Sequence, residues 1–422
     1  MRPPDVDIPA LYRSARYRMG RLEDTTDEAL LQQIETLASR ATADTQRITR
    51  AARSNHSAAE QRPSQALASP ARPRGPASYY GYASTMSTQD NSHYILRSRP
   101  VGELKDSDLE LRHEPVRAPA DGEVQLRTTW ISLDPTNRIW MSDMPQYMPP
   151  IELGAVVRAI TLGVVEQSRH PDFAVGDVVS GSWGWATRPT GAPAALGAYK
   201  LPPLPIPESQ ALSLIGATSG MTAYFGLLEI TQPKAGETLV VDAASGSVGS
   251  LVGQIAKLKG LRVIGITGGP EKCAYITETL GFDAAIDYKN EDVGAALDRH
   301  CPDGIDICFE NVGGPIFDAI LLRMKLFGRV SLCGMVESYN ATDKVPGPYA
   351  FGMILMRRLK VQGFICTDYL ERFQEAAADL LTWAGQGKLK IREDVREGFT
   401  NLPESLRQLL RGEKQGKMLL RP

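Results

Sequence analysis

Residues 244–249 read Ala-Ser-Gly-Ser-Val-Gly. The spacing is that of a GxGxxG turn with alanine in the first glycine position. Gly246 lets a backbone approach a pyrophosphate, and Gly249 lets a helix pack closely on a strand. A helix opening here turns free N–H groups and a positive dipole end toward phosphate oxygens. The competing reading is a tight structural turn without a ligand. Context favours the ligand, since the strand-like run TLVVDAA precedes the turn and an amphipathic run to Gly260 follows it. No Gly-Lys-Ser/Thr follows, which disfavours a P-loop.

An NAD site places Asp or Glu on the ribose hydroxyls about 20 residues further on. Here the next strand ends Ile-Thr-Gly-Gly-Pro-Glu-Lys, with Gly268 and Gly269 at the acid's position and Lys272 close behind. A missing acid beside a cation suits the 2′-phosphate of NADP(H). The alternative for Lys272 is a solvated residue in the first turn of a helix. Arg262 and Tyr288 are weaker candidates for the same phosphate. The five cysteines, Cys273, Cys301, Cys308, Cys333 and Cys366, form no CxxC pair, and the five histidines are dispersed. Neither set has the spacing of a zinc cluster, so no metal is expected and the thiols read as reduced.

These residues need elements to position them. From about residue 214 strand-like runs (TLVVDAA, RVIGIT, AAIDY, DICFENV, RVSLCG, VQGFI) alternate with helical ones. That alternation predicts a parallel sheet covered on both faces. From about residue 93 the texture is instead β-rich, as in HYILRSRP, LELRHEPV and EVQLRTTWISL. Near the C-terminus ERFQEAAADLLTWAGQGKLK reads as a helix, followed by short strand-like pieces.

Of the 422 residues, 42% are hydrophobic and 23% charged, as in globular proteins. A net charge of −2 gives no bulk attraction to nucleic acid or anionic membranes. No apolar run of about 18 residues and no secretory signal pattern is found. The expectation is a cytoplasmic protein with neither nucleic acid nor membrane as partner. Residues 1–85 stand apart, with twelve Arg, no Lys and nine acidic residues. They read as a flexible extension carrying one helix over 27–41, with Thr26 as its cap.

Several motifs now combine. After the β-rich part, AASGSVGSLVGQIAKLKG, GGPEKCAYITETLGFDAAIDYKN, FENVGG and LCGMVESYN together resemble the zinc-independent medium-chain dehydrogenases/reductases. Within them the chain is similar to the NADP-dependent alkenal/one double-bond reductases, the prostaglandin reductase and curcumin reductase-like group. The resemblance covers about residues 90–422. It implies an α/β fold: a doubly wound Rossmann sheet inserted in a β-rich, partly open, GroES-like barrel domain. The implied boundaries are an extension at 1–85, the catalytic domain at 86–213, the Rossmann domain at 214–366 and a return to the catalytic domain at 367–422. A homodimer is implied as well.

The resemblance also implies site residues. Gly246, Ser247, Val248 and Gly249 would hold the pyrophosphate, and Lys272 and Tyr288 the 2′-phosphate. Asn311, the loop Cys333, Gly334, Met335, Val336, Glu337 and Ser338, and Phe364, Ile365 and Cys366 would lie near the cofactor. Lys414 stands where the family has Asn, and Asp134-Pro135-Thr136-Asn137-Arg138 replaces its Asp-Pro-Tyr-Met-Arg, losing an aromatic residue. The implied chemistry is hydride transfer to the β-carbon of a small apolar α,β-unsaturated aldehyde or ketone. Tyr339 and the cofactor ribose would stabilise the enolate; a packing role is the alternative for Tyr339. Tyr147 and Tyr224 are candidates for the substrate cleft, with core packing as the alternative. For Trp183 and Trp185 core filling is favoured. Two rival functions stand beside this one: a quinone oxidoreductase on the same scaffold, and a non-catalytic NADPH-binding protein. The CGMVESYN loop fits the double-bond reductases better than the first. The intact cofactor motifs and Tyr339 argue against the second.

Overall fold

The computed structural model describes residues 90–422. The extension read at 1–85, with its helix over 27–41, lies outside the described residues.

The β-rich part begins with an antiparallel hairpin of β1 (Asp90–Leu96) and β2 (Leu109–Pro115). It continues with β3 (Val124–Ser132), β4 (Thr161–Ser168), β5 (Val178–Gly181), β6 (Thr190–Gly191) and β7 (Tyr199–Lys200). Gly176 turns the chain into β5 at a φ of +94°, which glycine adopts without strain.

Six strands then form a parallel sheet: β8 (Thr238–Val241), β9 (Arg262–Thr267), β10 (Ala284–Asp287), β11 (Ile305–Glu310), β12 (Met324–Leu332) and β13 (Lys360–Gly363). Their spatial order is β10-β9-β8-β11-β12-β13. Alternate residues feed opposite faces. Leu239 and Val241 join Leu251, Val252 and Ile255 of the helix Ser247–Leu258, while Val240 joins Ala296, Leu297 and Ile320 beneath. The sheet is therefore buried on both sides, which explains the nearly continuous apolar strands. The strand order reverses between β8 and β11, and their C-terminal ends open the crevice where such folds bind ligands.

The chain then returns. β14 (Glu393–Glu397) pairs with β15 (Lys417–Arg421), and β15 lies antiparallel to β3. The resulting sheet runs β14-β15-β3-β4-β5-β7, with β6 on β3 and no closure into a barrel. The expected Rossmann sheet, inserted in an open β-rich unit, is what the chain builds. Lys417, 2% exposed, bonds Asp134 at 2.5 Å and ties the last strand to the end of β3. Removing one partner of such a buried pair costs about 3–5 kcal/mol.

The helix Gly314–Leu321 stops short of buried Met324, which already begins β12. Glu208–Leu228 is apolar and long enough to cross a membrane, but 78% of its most apolar window is buried inside the protein. Its residues Leu214, Phe225 and Leu227 belong to the Rossmann core.

Candidate active site and cofactor cleft

Beyond β8 the backbone turns sharply. Ala243 takes a φ of +43°, an unusual conformation for alanine, and its carbonyl accepts the Gly246 N–H at 2.9 Å. Ala244 N donates to Ile266 O at 3.0 Å, and the Ser245 and Thr267 hydroxyls meet at 2.7 Å, so β9 steadies the turn. The helix Ser247–Leu258 starts with Gly246 as N-cap and no side chain capping it. Its first N–H groups are thus left for an anion. A Cβ on Gly249 would stand 2.6 Å from the Ala243 carbonyl oxygen, so only glycine lets the helix seat here. Val248 packs on the core, and Ser247 donates its hydroxyl to Ser219 at 2.6 Å.

Gly246 forms a parallel bridge with Gly416 of the loop before β15. This brings Lys414 to the turn: its Nζ is 3.9 Å from where a Cβ on Gly246 would sit. Among the described residues no carboxylate pairs with this ammonium. Burial, with Lys417 and Lys272 nearby, lowers its pKa to about 8, although part of the side chain reaches solvent. A second cationic group gathers past β9. Lys272 Nζ donates to Gly412 O at 2.6 Å, and burial and the neighbouring Lys289 lower its pKa. Tyr288, 42% exposed, lies over Gly268, where a Cβ would come within 2.9 Å of its ring. Arg392, linked to Gln415 and to Glu271 at 3.2 Å, also acts on Lys272.

At the ends of β11 and β12 a different cluster forms. Glu310 O accepts Cys333 N at 2.9 Å and Gly334 N at 3.1 Å. Asn311 O accepts Val336 N at 3.0 Å, and Val312 O accepts Glu337 N at 3.1 Å. Ser338 Oγ donates to Met335 O at 2.7 Å, and Met335 N donates to the Tyr339 hydroxyl at 3.3 Å. Burial pushes the Tyr339 phenol up to about 12. Phe364 meets Phe309 edge-on at 6.3 Å, Ile365 is half-buried, and Cys366 Sγ donates to Ala217 O at 3.0 Å.

Tyr147 is close enough to Tyr339 and Cys366 to share electrostatic interactions with both. Its hydroxyl meets Thr136 Oγ1 at 2.5 Å and accepts from Trp140 Nε1 at 2.9 Å. Thr136, standing where the resemblance expects an aromatic residue, thus holds one nearby. Tyr224 is placed otherwise: it is 4% exposed and donates to Asp379 Oδ2 at 2.8 Å inside the core. Trp183 and Trp185 are buried.

Sequence reasoning passed over Arg138, Asn340, Asp242, Glu310, Lys289 and Arg392. Arg138 Nε donates to Asn340 Oδ1 at 3.1 Å, joining the β-rich part to the Tyr339 loop. Lys289 directly follows the singled-out Tyr288, which was the available signal for it. Arg138, Glu310 and Asn340 lie inside motifs the resemblance rests on, without a role assigned to them there, and no local pattern marked Asp242 or Arg392.

The fold and this cleft define a dinucleotide-dependent oxidoreductase. A family profile described as the N-terminal domain of oxidoreductase matches residues 92–197, and one described as zinc-binding dehydrogenase matches residues 247–383. The chain belongs to the medium-chain dehydrogenase/reductase family, and its cofactor is NADP(H). It is 43% identical over 338 residues to the NADPH-dependent curcumin reductase of Escherichia coli K12, covering 79% of this chain and 97% of that one. With the NADP-dependent 2-alkenal reductase of Nicotiana tabacum it shares 35% over 335 residues, covering 78% and 97%. The crystal structure of CurA from Vibrio vulnificus in complex with NADPH superposes with a TM-score of 0.74 at 43% identity, covering 78% of this chain and 98% of that one.

The residues present fit such a cofactor. An uncapped helix N-terminus, a turn with no room for a side chain at 249, and the unpaired Lys414 ammonium converge on one place. Among the described residues no three His, Cys, Asp or Glu side chains are grouped to hold a metal ion.

Proposed function

We propose that this enzyme reduces the carbon–carbon double bond of small apolar α,β-unsaturated aldehydes and ketones. Bound NADPH supplies the hydride that goes to the β-carbon. The observation that carries the reading is the state of Tyr339. Its oxygen accepts the Met335 N–H, and among the described residues no acceptor takes its own proton. With its pKa at about 12 the phenol stays protonated through the working pH range. It can therefore donate to the substrate oxygen as enolate charge builds there, and a preformed donor of this kind is where such sites gain most.

Gly246, Ser247, Val248, Gly249 and Lys414 hold the pyrophosphate in this reading. Lys272 and Tyr288, with Lys289 and Arg392, hold the 2′-phosphate. Asn311, residues 333–338, Phe364, Ile365 and Cys366 would hold the rest of the cofactor. Tyr147 lines the substrate cleft. Tyr224, committed to Asp379, serves packing rather than substrate. The protein acts in the cytoplasm, a reducing compartment that suits five free thiols.

It works as a homodimer. Among the described residues the edge strand β13 pairs only with β12, and exposed Phe327, Tyr349, Phe351, Leu355 and Met356 belong to the segments next to it. A second copy would cover both the free edge and the apolar residues.

The test is NADPH oxidation with a medium-chain 2-alkenal, an enone and a benzoquinone in parallel, with NADH as control. Fast turnover on the enal or enone with weak use of NADH is expected. Turnover on the quinone alone would move the assignment to a quinone oxidoreductase. Binding of NADPH without turnover on any of the three would leave a cofactor-binding protein without this activity.

A further inference from the structure

The C-terminal ends of the two central strands carry acids that the proposed chemistry does not use. Val241 lies in register with Phe309, so Asp242 and Glu310 follow at neighbouring positions on adjacent strands. Both are 0% exposed. Asp242 Oδ1 accepts Asn311 N at 2.7 Å and Asn311 Nδ2 at 3.2 Å. Glu310 Oε1 accepts Val312 N at 2.8 Å and Gly313 N at 2.6 Å. One oxygen of each carboxyl is thus fully engaged.

The other two oxygens are the unusual part. Asp242 Oδ2 is buried and finds no N–H or O–H donor. Besides Asn311, the Asp242 carboxyl has the Glu310 carboxyl and the Val312 N–H within reach, and that N–H is already bonded to Glu310 Oε1 at 2.8 Å. Glu310 Oε2 has only the weak Cys308 thiol at 3.9 Å besides. The remaining titratable neighbour is the Cys333 thiol, which feels both acids. Burial raises both carboxyls; the Asp242 charge raises Glu310 further, well above the carboxylate range, whereas Glu310 as a hydrogen-bond partner favours the ionised form of Asp242, and no lysine, arginine or histidine is among the described groups acting on either. Two buried carboxylates in contact, without a cation, cannot both be ionised.

The backbone around the pair reaches both halves of the cleft. Asp242 leads directly into the strained Ala243 and the glycine turn. Glu310, Asn311 and Val312 offer the carbonyls from which the loop 333–337 hangs. That loop positions Tyr339 through the Met335 N–H.

We propose that Asp242 and Glu310 form a carboxyl dyad sharing one proton, and that this dyad is a positioning pair for Asn311 and the Tyr339 loop. Neither acid touches substrate. The shared proton closes the one gap in a network that otherwise consists of acceptors each matched to a donor. Its loss sets two carboxylates against each other at the root of the loop. Only the catalytic consequence rests on the role given to Tyr339 above; the dyad itself does not.

The test uses Asp242→Asn, Glu310→Gln and the double variant. In Glu310→Gln the side-chain oxygen still accepts Val312 N and Gly313 N, and the new NH2 donates to Asp242 Oδ2. In Asp242→Asn the oxygen still accepts from Asn311, and the NH2 donates to Glu310. Each single change thus replaces the shared proton with a permanent one. In the double variant two NH2 groups face each other and neither can accept.

The sign with pH follows from linkage. The folded wild type keeps a proton that the unfolded chain releases in the ordinary carboxylate range. Stability therefore falls as pH rises from that range until the dyad has ionised. The expected result, read on cofactor-free protein below the pH at which Lys414 titrates, is a melting temperature that falls from pH 6 to pH 8 in the wild type and less in either single variant. The double variant melts below both singles throughout. Infrared spectra should show a protonated carboxylic acid in the wild type that both single variants lack. At saturating NADPH, kcat of the wild type should fall with pH alongside the melting temperature, and either single variant should flatten that fall. The double variant should lose roughly tenfold to a hundredfold in kcat. Single variants that share the wild-type alkaline loss, or a double variant no worse than the singles, would overturn the dyad. The melting and infrared readouts need no turnover. If they follow the expected pattern while no enal or enone is reduced, the proposed function fails alone; if they stay flat while reduction proceeds, the dyad fails alone.

Discussion

Arg138 Nε and Asn340 Oδ1 meet at 3.1 Å across 202 positions of sequence. The other guanidinium nitrogens donate to Ser142 Oγ and to the Pro100 and Gly102 carbonyls. Arg138 is 3% exposed and has no ion-pair partner among the described residues, so its positive charge is held by dipoles, with the Asp108 carboxylate acting on it from beyond contact. Burial accordingly lowers its pKa. The bond fixes the residue next to Tyr339 to the β-rich part of the enzyme. Asn340→Ala removes one hydrogen bond at a half-buried position and should cost about 1 kcal/mol of stability. Its effect on kcat should be larger, roughly tenfold, because small misplacement of a donor is costly. Thermal melts beside steady-state kinetics check this, and a kcat loss no greater than the stability loss would separate Arg138 from the positioning of Tyr339.

Tyr339→Phe should leave NADPH affinity near wild type and lower kcat roughly a hundredfold, the usual loss for one oxyanion donor. The ring stays, so packing beside the cofactor is kept. An unchanged kcat would remove the hydroxyl from the mechanism. The high pKa adds a second check: the wild-type rate should show no ionisation of this phenol below pH 10, since the group titrates at about 12.

The parallel sheet and the glycine turn were legible because each rests on local pattern. Apolar runs mark β8 to β12, and Gly246 and Gly249 mark the turn whose backbone leaves no room for a side chain at 249. The return of the chain to β15 was less visible, because Lys417 is a charged residue inside a buried strand. Only its pairing with Asp134, far away in sequence, makes that position acceptable. The cation Arg392, and the pairing of the acids Asp242 and Glu310, were illegible for a related reason, and Lys289 was marked only by its neighbour Tyr288. Each looks like an ordinary surface charge until the fold supplies its neighbours. Tyr224 shows the reverse case. Its sequence context suited a cleft, and the helix Phe373–Gly385 instead captured its hydroxyl through Asp379.

The proposed dimer can be broken without touching the cleft. Leu355 is 73% exposed on the short helix Gly352–Met356, whose Met353 and Ile354 face the core. Leu355→Glu should therefore keep the fold and place a charge in the apolar contact. Sedimentation should shift from dimer to monomer at micromolar protein, with the melting temperature of each subunit little changed by the side chain itself. A wild type that sediments as a monomer, or a variant that stays dimeric, would move the interface elsewhere.

Lys414 yields the prediction with the clearest sign in pH. In the free enzyme its ammonium titrates at about 8, since burial and two neighbouring lysines disfavour the charge. A cofactor phosphate would favour the charged form and raise that value, so binding takes up a proton once the pH passes 8. NADPH affinity should therefore weaken as pH rises through 8. Lys414→Met should abolish that slope and weaken binding roughly tenfold at pH 7, the scale of one charge-assisted hydrogen bond. Stability should move the other way. Between about 8 and its ordinary pKa the folded wild type holds fewer protons than the unfolded chain, so it gains stability as pH rises there. The cofactor-free variant should accordingly melt above wild type at pH 7 and lose that advantage toward pH 10. Isothermal titration with NADPH and melting curves at both pH values measure the two effects separately. Unchanged NADPH affinity in the variant would take Lys414 out of the phosphate site, whatever the melting curves show.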